Sequence, residues 1–302
     1  MDERRSPGLS ILFASDDSDT ARAAESWVAA LRRTGPYRVD VASVAGANLF
    51  GGGWGARMDR PAVRQAVREL QESELQTAER VANAVGERLQ QGGEVLVRTW
   101  ARQGVPAEEL IALVEDLLPD VVVVGHRGRS KVAQLVMGSV ANALIAHSPR
   151  PTLVVRTPAA GTAVPRHAVI AFDGTPASGR LVDWLATVGL VHGAEVTLVG
   201  LPDLPAGTAE SLADTTPLLA DAIRGEVKSD LEQPTRPLVA AGANVARRIA
   251  LEHPLAAIEQ AVSSTGADLL IVLRHRTPRG REAFADQAAR RSGGAVLVVP
   301  AG

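Results

Sequence analysis

The chain has 302 residues, 46% of them hydrophobic and 22% charged, with a formal net charge of −2. At roughly 100–200 residues per domain this length predicts two domains, and the composition excludes extended disorder. The near-neutral charge gives no drive toward nucleic acid or an anionic membrane, and the absence of cysteine excludes disulfides, thiolate metal sites and thiol catalysis.

The first apolar run, Leu9–Ala14, is shorter than a signal-peptide core and is followed by Asp16 and Asp17. No stretch approaches the ~18–20 apolar residues of a membrane span, so a soluble cytoplasmic protein without membrane partners is expected. Short apolar runs bounded by Gly, Pro or Asp predict buried strands at Leu9–Ala14, Val39–Val44, Glu94–Thr99, Val121–Val124 and Thr152–Val155. Helical patterns fall between them at Thr20–Arg33, Pro61–Gln90, Pro106–Leu117 and Ser139–His147. The second half runs the same alternation. Strands are predicted at Ala168–Phe172, Glu195–Gly200, Asn244–Leu251, Leu269–Leu273 and Val296–Val299. Helices are predicted at Pro176–Val188, Leu218–Gln233, Pro254–Ser263 and Arg281–Arg291.

The halves correspond. Leu12 to Asp16 matches Val169 to Asp173, Asp120 with its four valines matches Asp268-Leu-Leu-Ile-Val, and Pro151 to Val155 matches Ala295 to Val299. This is an internal duplication of about 150 residues. The stretch Thr157–Arg166, rich in Pro, Gly and Ala, separates domain 1–157 from domain 167–302, with 158–166 as linker. Strand–helix alternation makes each domain α/β, a doubly wound, Rossmann-like five-stranded parallel sheet. In such sheets ligands sit beyond the carboxyl ends of the strands, where strand order reverses.

That rule directs attention to the loops after strands one and four. Gly125-His-Arg-Gly128 follows the valine run, and Gly138-Ser139 opens the next helix: the spacing is G-x2-G-x9-G-S. Glycines there permit positive φ and close approach of backbone to a ligand. Backbone N–H groups and a helix N-terminus, with Ser139 as expected N-cap, suit a phosphate. Arg127, Arg129 and Lys131, one of only two lysines, add positive charge. Asp16, at the neighbouring strand end, can accept from an adenine amine or a ribose hydroxyl. Phosphate binding competes at each point with plain turn and cap roles.

On these motifs the chain resembles a tandem universal stress protein, repeat by repeat over nearly its whole length. Nucleotide-binding members of that family carry G-x2-G-x9-G-(S/T) after the fourth strand and an Asp after the first, matched here by Gly125, Gly128, Gly138, Ser139 and Asp16. The resemblance implies an adenine nucleotide alpha hydrolase-like fold that binds ATP, alone or with Mg²⁺, without a Walker loop, and no G-x4-G-K-(S/T) occurs. It places Asp16 at the adenosine end, Ala14 and Val124 along the base, and Gly128, Gly138, Ser139 and Val140 at the phosphates, with Arg127 beside them. It also implies that last strands pair across a two-fold, so the repeats are expected to form an internal pseudo-dimer, with any homodimer of chains formed by another surface.

One departure stands in the first repeat. The family's Asp-Gly-Ser after strand one is Asp16-Asp17-Ser18, and a second carboxylate repels a polyphosphate unless it faces solvent or Mg²⁺. The second repeat keeps Asp173-Gly174-Thr175 but has lost the glycine loop. Leu273, Arg276 and Glu282 stand where the three glycines should, Ala283 where Ser139 should, and the loop is shorter. It is therefore not expected to bind ATP in the family's manner. Arg274, His275, Arg276, Arg279 and Arg281 leave either a solvated basic loop or a site for another anion.

Other features carry less. The insertion Gly46–Arg60, with Phe50 and Trp54, reads as a lid, a partner-binding loop, or aromatics tucked into the domain; Pro202–Thr216 is its counterpart. The six histidines lack metal-site spacing. His126 is expected to touch a phosphate or, more simply for a loop residue, to face solvent. There is no G-x-S-x-G elbow. Helices 61–90 and 218–233 read as solvated, ion-paired faces. The expected function is ATP-binding regulation of stress physiology, with the second repeat structural or partner-facing. A slow ATPase or nucleotidyl transferase and a non-nucleotide interaction module stand as alternatives; no base or arginine finger is assigned.

Overall fold

The computed structural model describes residues 8–31, 37–46, 61–91, 95–128, 137–156, 165–202, 217–275 and 281–301. Two compact units divide the chain, Met1–Thr157 and Pro158–Gly302.

In the first unit the described elements run β1 (Leu9–Ala14), α1 (Asp19–Leu31), β2 (Tyr37–Gly46), α2 (Pro61–Gln91), β3 (Leu96–Gly104), α3 (Pro106–Leu117), β4 (Val121–Gly125), α4 (Ser139–His147) and β5 (Thr152–Val155). The strands are parallel, in the order β3-β2-β1-β4-β5. α1 packs on α2 and α3 on α4, the paired helix layers of a doubly wound sheet. Ile11, Leu12, Phe13, Val122 and Val123 have no exposed surface, because a parallel strand covered on both faces must be apolar throughout. β3 is less covered and carries Arg98, Trp100 and Arg102. Asp40 on β2, fully buried, accepts from Arg38 Nε at 2.9 Å and Trp100 Nε1 at 3.0 Å, and forms an ion pair with Arg98 Nε at 3.1 Å.

The second unit has β6 (His167–Phe172), α5 (Pro176–Val188), β7 (Glu195–Gly200), α6 (Pro217–Asp230), α7 (Glu232–Ala240), β8 (Asn244–Ile249), α8 (Pro254–Thr265), β9 (Leu269–Arg274), α9 (Arg281–Arg291) and β10 (Ala295–Pro300). Its strand order, β8-β7-β6-β9-β10, is the first unit's order repeated. The aligned aspartates do the same task in both. Asp120 accepts from the Ser10 amide at 2.8 Å, and Asp268 from the Arg166 and His167 amides at 3.1 and 3.2 Å, tying the start of the fourth strand to the start of the first.

Several boundaries differ from the sequence reading, two of them with a clear physical reason. Helix 218–233 becomes α6 and α7, broken at Leu231, and α7 runs through Pro237. The break puts Pro234 in the first turn of α7, where a missing N–H has no helical partner to lose. The third strand begins at Leu96 and extends to Gly104, since pairing along β2 through Gly46 rewards polar residues that a hydrophobic run does not mark. Among the described residues no helix is long and apolar enough to cross a membrane.

Candidate functional site

In the first unit β1 lies between β2 and β4, where chain order reverses, and the carboxyl ends of these strands open on a cavity of about 340 Å³. That is within the ~300–1,000 Å³ usual for small-molecule sites. All nine residues singled out from sequence, Ala14, Asp16, Val124, Gly125, Arg127, Gly128, Gly138, Ser139 and Val140, line it.

The turn after β1 is set by its polar side chains. The Ser18 amide donates to Asp16 Oδ1 at 3.1 Å, and Ser18 Oγ accepts from the Ala21 amide at 3.3 Å, capping α1. Between them Asp17 takes φ +59°, a left-handed conformation in which Asp is tolerated and Gly preferred. The second unit has Gly174 there at φ +71°, with the Thr175 amide bonded to Asp173 Oδ1 at 3.1 Å. The turn carries the extra carboxylate to arginine partners. Asp17 is not among the cavity-lining residues and pairs with Arg22 and Arg88, each at 3.3 Å.

The loop after β4 is held by α1. Thr20 Oγ1 donates to the Arg127 carbonyl, which also accepts from Ser18 Oγ at 3.3 Å. The fit is tight at all three glycines and closest against backbone at Gly125. A Cβ on Gly125 would lie 2.8 Å from the Thr20 carbonyl carbon and 2.9 Å from the Ala21 nitrogen. On Gly128 it would meet Asp16 Oδ2 at 2.6 Å, and on Gly138 the His126 carbonyl at 3.3 Å. None of the three motif glycines has positive φ, so close approach, not left-handed backbone, accounts for Gly125.

Ser139 is not the cap of α4. Gly138 is the N-cap, with φ −63° and ψ 153°, and no side chain caps the helix; Ser139 is its exposed first residue. The shift by one residue follows from the Gly138 amide donating to the His126 carbonyl at 3.0 Å, which holds Gly138 extended. The first-turn amides of Ser139, Val140 and Ala141 precede the first intrahelical donor, Asn142, and all three residues line the cavity. A helix end of this kind presents partial positive charge.

His126 does not face solvent. It is 5% exposed, its amide donates to the Val155 carbonyl at 2.7 Å, and its Nε2 is buried without a partner among the described residues. Burial, then the charges of Arg156 and Arg127, push its pKa down to about 4. Burial and the charge of Arg127 likewise lower Arg156. This end of the sheet is therefore electropositive.

Three elements complete the cavity that the sequence reading did not assign: β2 through Ala42 to Ala45, α2 through Glu74, Thr77 and Ala78, and α3 through Pro106 and Leu110. α2 was read as solvated, and Glu74 is exposed as such a face requires, yet it stands at the cavity rim. No motif marks these residues; only the fold brings them there. Arg129, Lys131 and the insertion beyond Gly46 lie outside the described residues.

In the second unit the same corner is filled from within. His275 Nε2 bonds Asp173 Oδ2 at 2.6 Å, and Thr175 Oγ1 donates to Asp173 Oδ1 at 2.7 Å. Burial pushes the Asp173 carboxyl up, but the Thr175 hydrogen bonds, His275 and Ser178 outweigh it and hold it below its ordinary 3.8. Arg274 is buried, so the basic loop is not wholly solvated. Arg276, Arg279, the Pro202–Thr216 segment beyond Pro202 and the side chains of Arg281, Glu282 and Ala283 lie outside the described residues. Among the described residues no cluster of His, Asp and Glu is arranged to hold a metal.

Comparison with known proteins agrees with this architecture. Two universal stress proteins of Methanocaldococcus jannaschii, MJ0531 and MJ0577, are each 34% identical over 64 and 53 residues, 21% and 18% of this chain. These matches span 38% and 33% of the two relatives. A solved universal stress protein from Archaeoglobus fulgidus shares the fold across 96% of both chains, with TM-score 0.62 at 15% identity. The profile of the universal stress protein family matches residues 9–156 and again 165–300. Two matches covering nearly the whole length, over two copies of one doubly wound unit, make this chain a member of the universal stress protein family with two such domains in tandem.

Proposed function

We propose that the first repeat binds ATP in the cavity at the carboxyl ends of β1 and β4, as a regulatory ligand. The observation that carries this is the convergence on one cavity of Asp16, the close-packed glycine loop and the uncapped N-terminus of α4. The residues present suit the ligand. Ala14 and Val124 give an apolar wall for a base, and Asp16 an acceptor for an adenine amine or ribose hydroxyl. Ser139 and Val140 offer first-turn backbone N–H groups to phosphate, while Gly128 and Gly138 keep the loop packed tightly against Asp16 and the His126 carbonyl beside them. Arg127 supplies charge, and Mg²⁺ would accompany the phosphates rather than occupy a protein cage. Gly125 serves by letting α1 close on the loop. The reading makes the second repeat structural or partner-facing, because Asp173 already has its partners and the glycines are gone.

The test is titration calorimetry of ATP into the wild type and Gly138→Glu, which copies the second repeat. A carboxylate at the N-cap of α4 opposes the phosphate in the same place, so a loss of at least tenfold in affinity is expected. Equal affinity in the two proteins refutes the site. ATP turnover by the wild type, abolished by Asp16→Ala, would instead make the protein an enzyme.

A further inference from the structure

We propose that His126 makes occupancy of this cavity pH-dependent: when a phosphate-bearing nucleotide binds, the imidazole takes up one proton from the buffer and becomes a donor to the anion. The proposal rests on the nucleotide reading above.

The geometry is unusual for a histidine. The residue follows β4 directly, and its backbone is clamped at both ends, by the Val155 carbonyl and the Gly138 amide. The side chain therefore cannot leave by moving the loop. It lines the cavity, is 5% exposed, and its Nε2 has no partner among the described residues. A buried polar nitrogen left unpaired costs about 1–3 kcal/mol. Nε2 has no accessible surface of its own, so the ring turns to present a nitrogen to a ligand in the cavity it lines, and that turn removes the cost.

The surrounding charges set the direction. Arg127 on the same loop and Arg156 beyond β5 both oppose protonation, adding to burial, and the free ring stays neutral to about pH 4. Two carboxylates line the same cavity, Asp16 after β1 and Glu74 on α2. The cavity-lining residues of α1, β2, α3 and α4 carry no ionisable side chain. A polyphosphate entering beside α4 offsets the two arginine charges and offers an acceptor, so the protonated ring is favoured only in the complex. Linkage then requires that binding strengthens as pH falls. If binding restores the ordinary histidine value of about 6.5, affinity rises about fourfold from pH 8 to pH 6, with uptake of about 0.75 proton at pH 6.

The experiment is calorimetry of ATP with the full chain at pH 6 and pH 8, in buffers of differing ionisation enthalpy, for the wild type and His126→Gln. Glutamine keeps a polar side chain but cannot titrate, so protonation of ATP itself and of every other group cancels in the difference. The wild type is expected to take up more protons than the variant and to gain about fourfold more affinity on acidification. Adenosine, which has no phosphate, should show no such difference. Equal uptake by the two proteins, or His126-dependent uptake with adenosine, overturns the proposal while leaving the site intact. Failure of ATP to bind either protein at both pH values overturns the nucleotide reading itself, and this inference with it. The wild type alone supplies a second measurement by NMR. Of its six histidine rings, one should stay neutral to about pH 4 when free and titrate near pH 6.5 with ATP; no such shift also refutes the coupling.

Discussion

Gly125→Ala tests the claim that close packing, not backbone freedom, demands glycine in the loop. The added methyl would stand 2.8 Å from the carbonyl carbon of Thr20 and 2.9 Å from the nitrogen of Ala21. Both are backbone atoms, so no side chain can swing aside. Ordinary contact begins near 3.4 Å, so the start of α1 must retreat by about 0.6 Å. That retreat strains the bonds from Ser18 and Thr20 to the Arg127 carbonyl. Overpacking of this size costs about 1–3 kcal/mol, or roughly 2–4 °C of melting temperature per kcal/mol in a domain of about 150 residues. Gly46→Ala is the control, because a Cβ there meets nothing within 4 Å among the described residues and the strand gains about 0.5–1 kcal/mol from reduced chain entropy. Scanning calorimetry should show the transition of the first unit lowered in Gly125→Ala and unchanged or raised in Gly46→Ala. If Gly125→Ala melts no lower than Gly46→Ala, the packing argument for the motif's first glycine is refuted.

Two further predictions concern stability. Asp40→Ala should cost about 3–5 kcal/mol in urea unfolding, because Arg38, 8% exposed, is left without its partner while Arg98 can turn to solvent. A loss under about 1 kcal/mol would show that Arg38 finds water. In the second unit the folded Asp173 carboxyl lies below 3.8, so its contribution is complete above that pH and disappears as pH falls through the folded value. Asp173→Asn should therefore cost about 1–2 kcal/mol at pH 7 and little near pH 2, read from unfolding at both. A cost that does not shrink with acid would assign the effect to packing.

Much of the site was legible before any coordinates. The spacing from Gly125 to Ser139 and the carboxylate of Asp16 were visible because close backbone approach and an acceptor at a strand end demand particular residues in local order. Their convergence followed from a general rule of parallel sheets. Glu74, Thr77 and Ser43 were not legible. Nothing in a helix or strand of mixed polarity records which element will arch over its carboxyl end. His126 was misplaced for a related reason: a loop residue is exposed by default, and its burial depends on β5 and α4 closing around it. Asp17 looked repulsive in sequence because its direction is decided by the left-handed turn and by Arg22 and Arg88.

By itself, then, the sequence determined that one doubly wound unit is written twice and that only the first copy keeps the G-x2-G-x9-G glycines. Periodicity, apolar runs and glycine spacing are local, and a duplicated chain repeats them in register. Tertiary structure alone decided which atoms those residues face. It buried the His126 ring beside two arginines, moved the cap of α4 to Gly138, and gave Asp173 a partner in His275 from 102 positions away. Distances across the chain, charge neighbourhoods and burial are properties of packing, and no stretch of sequence contains them.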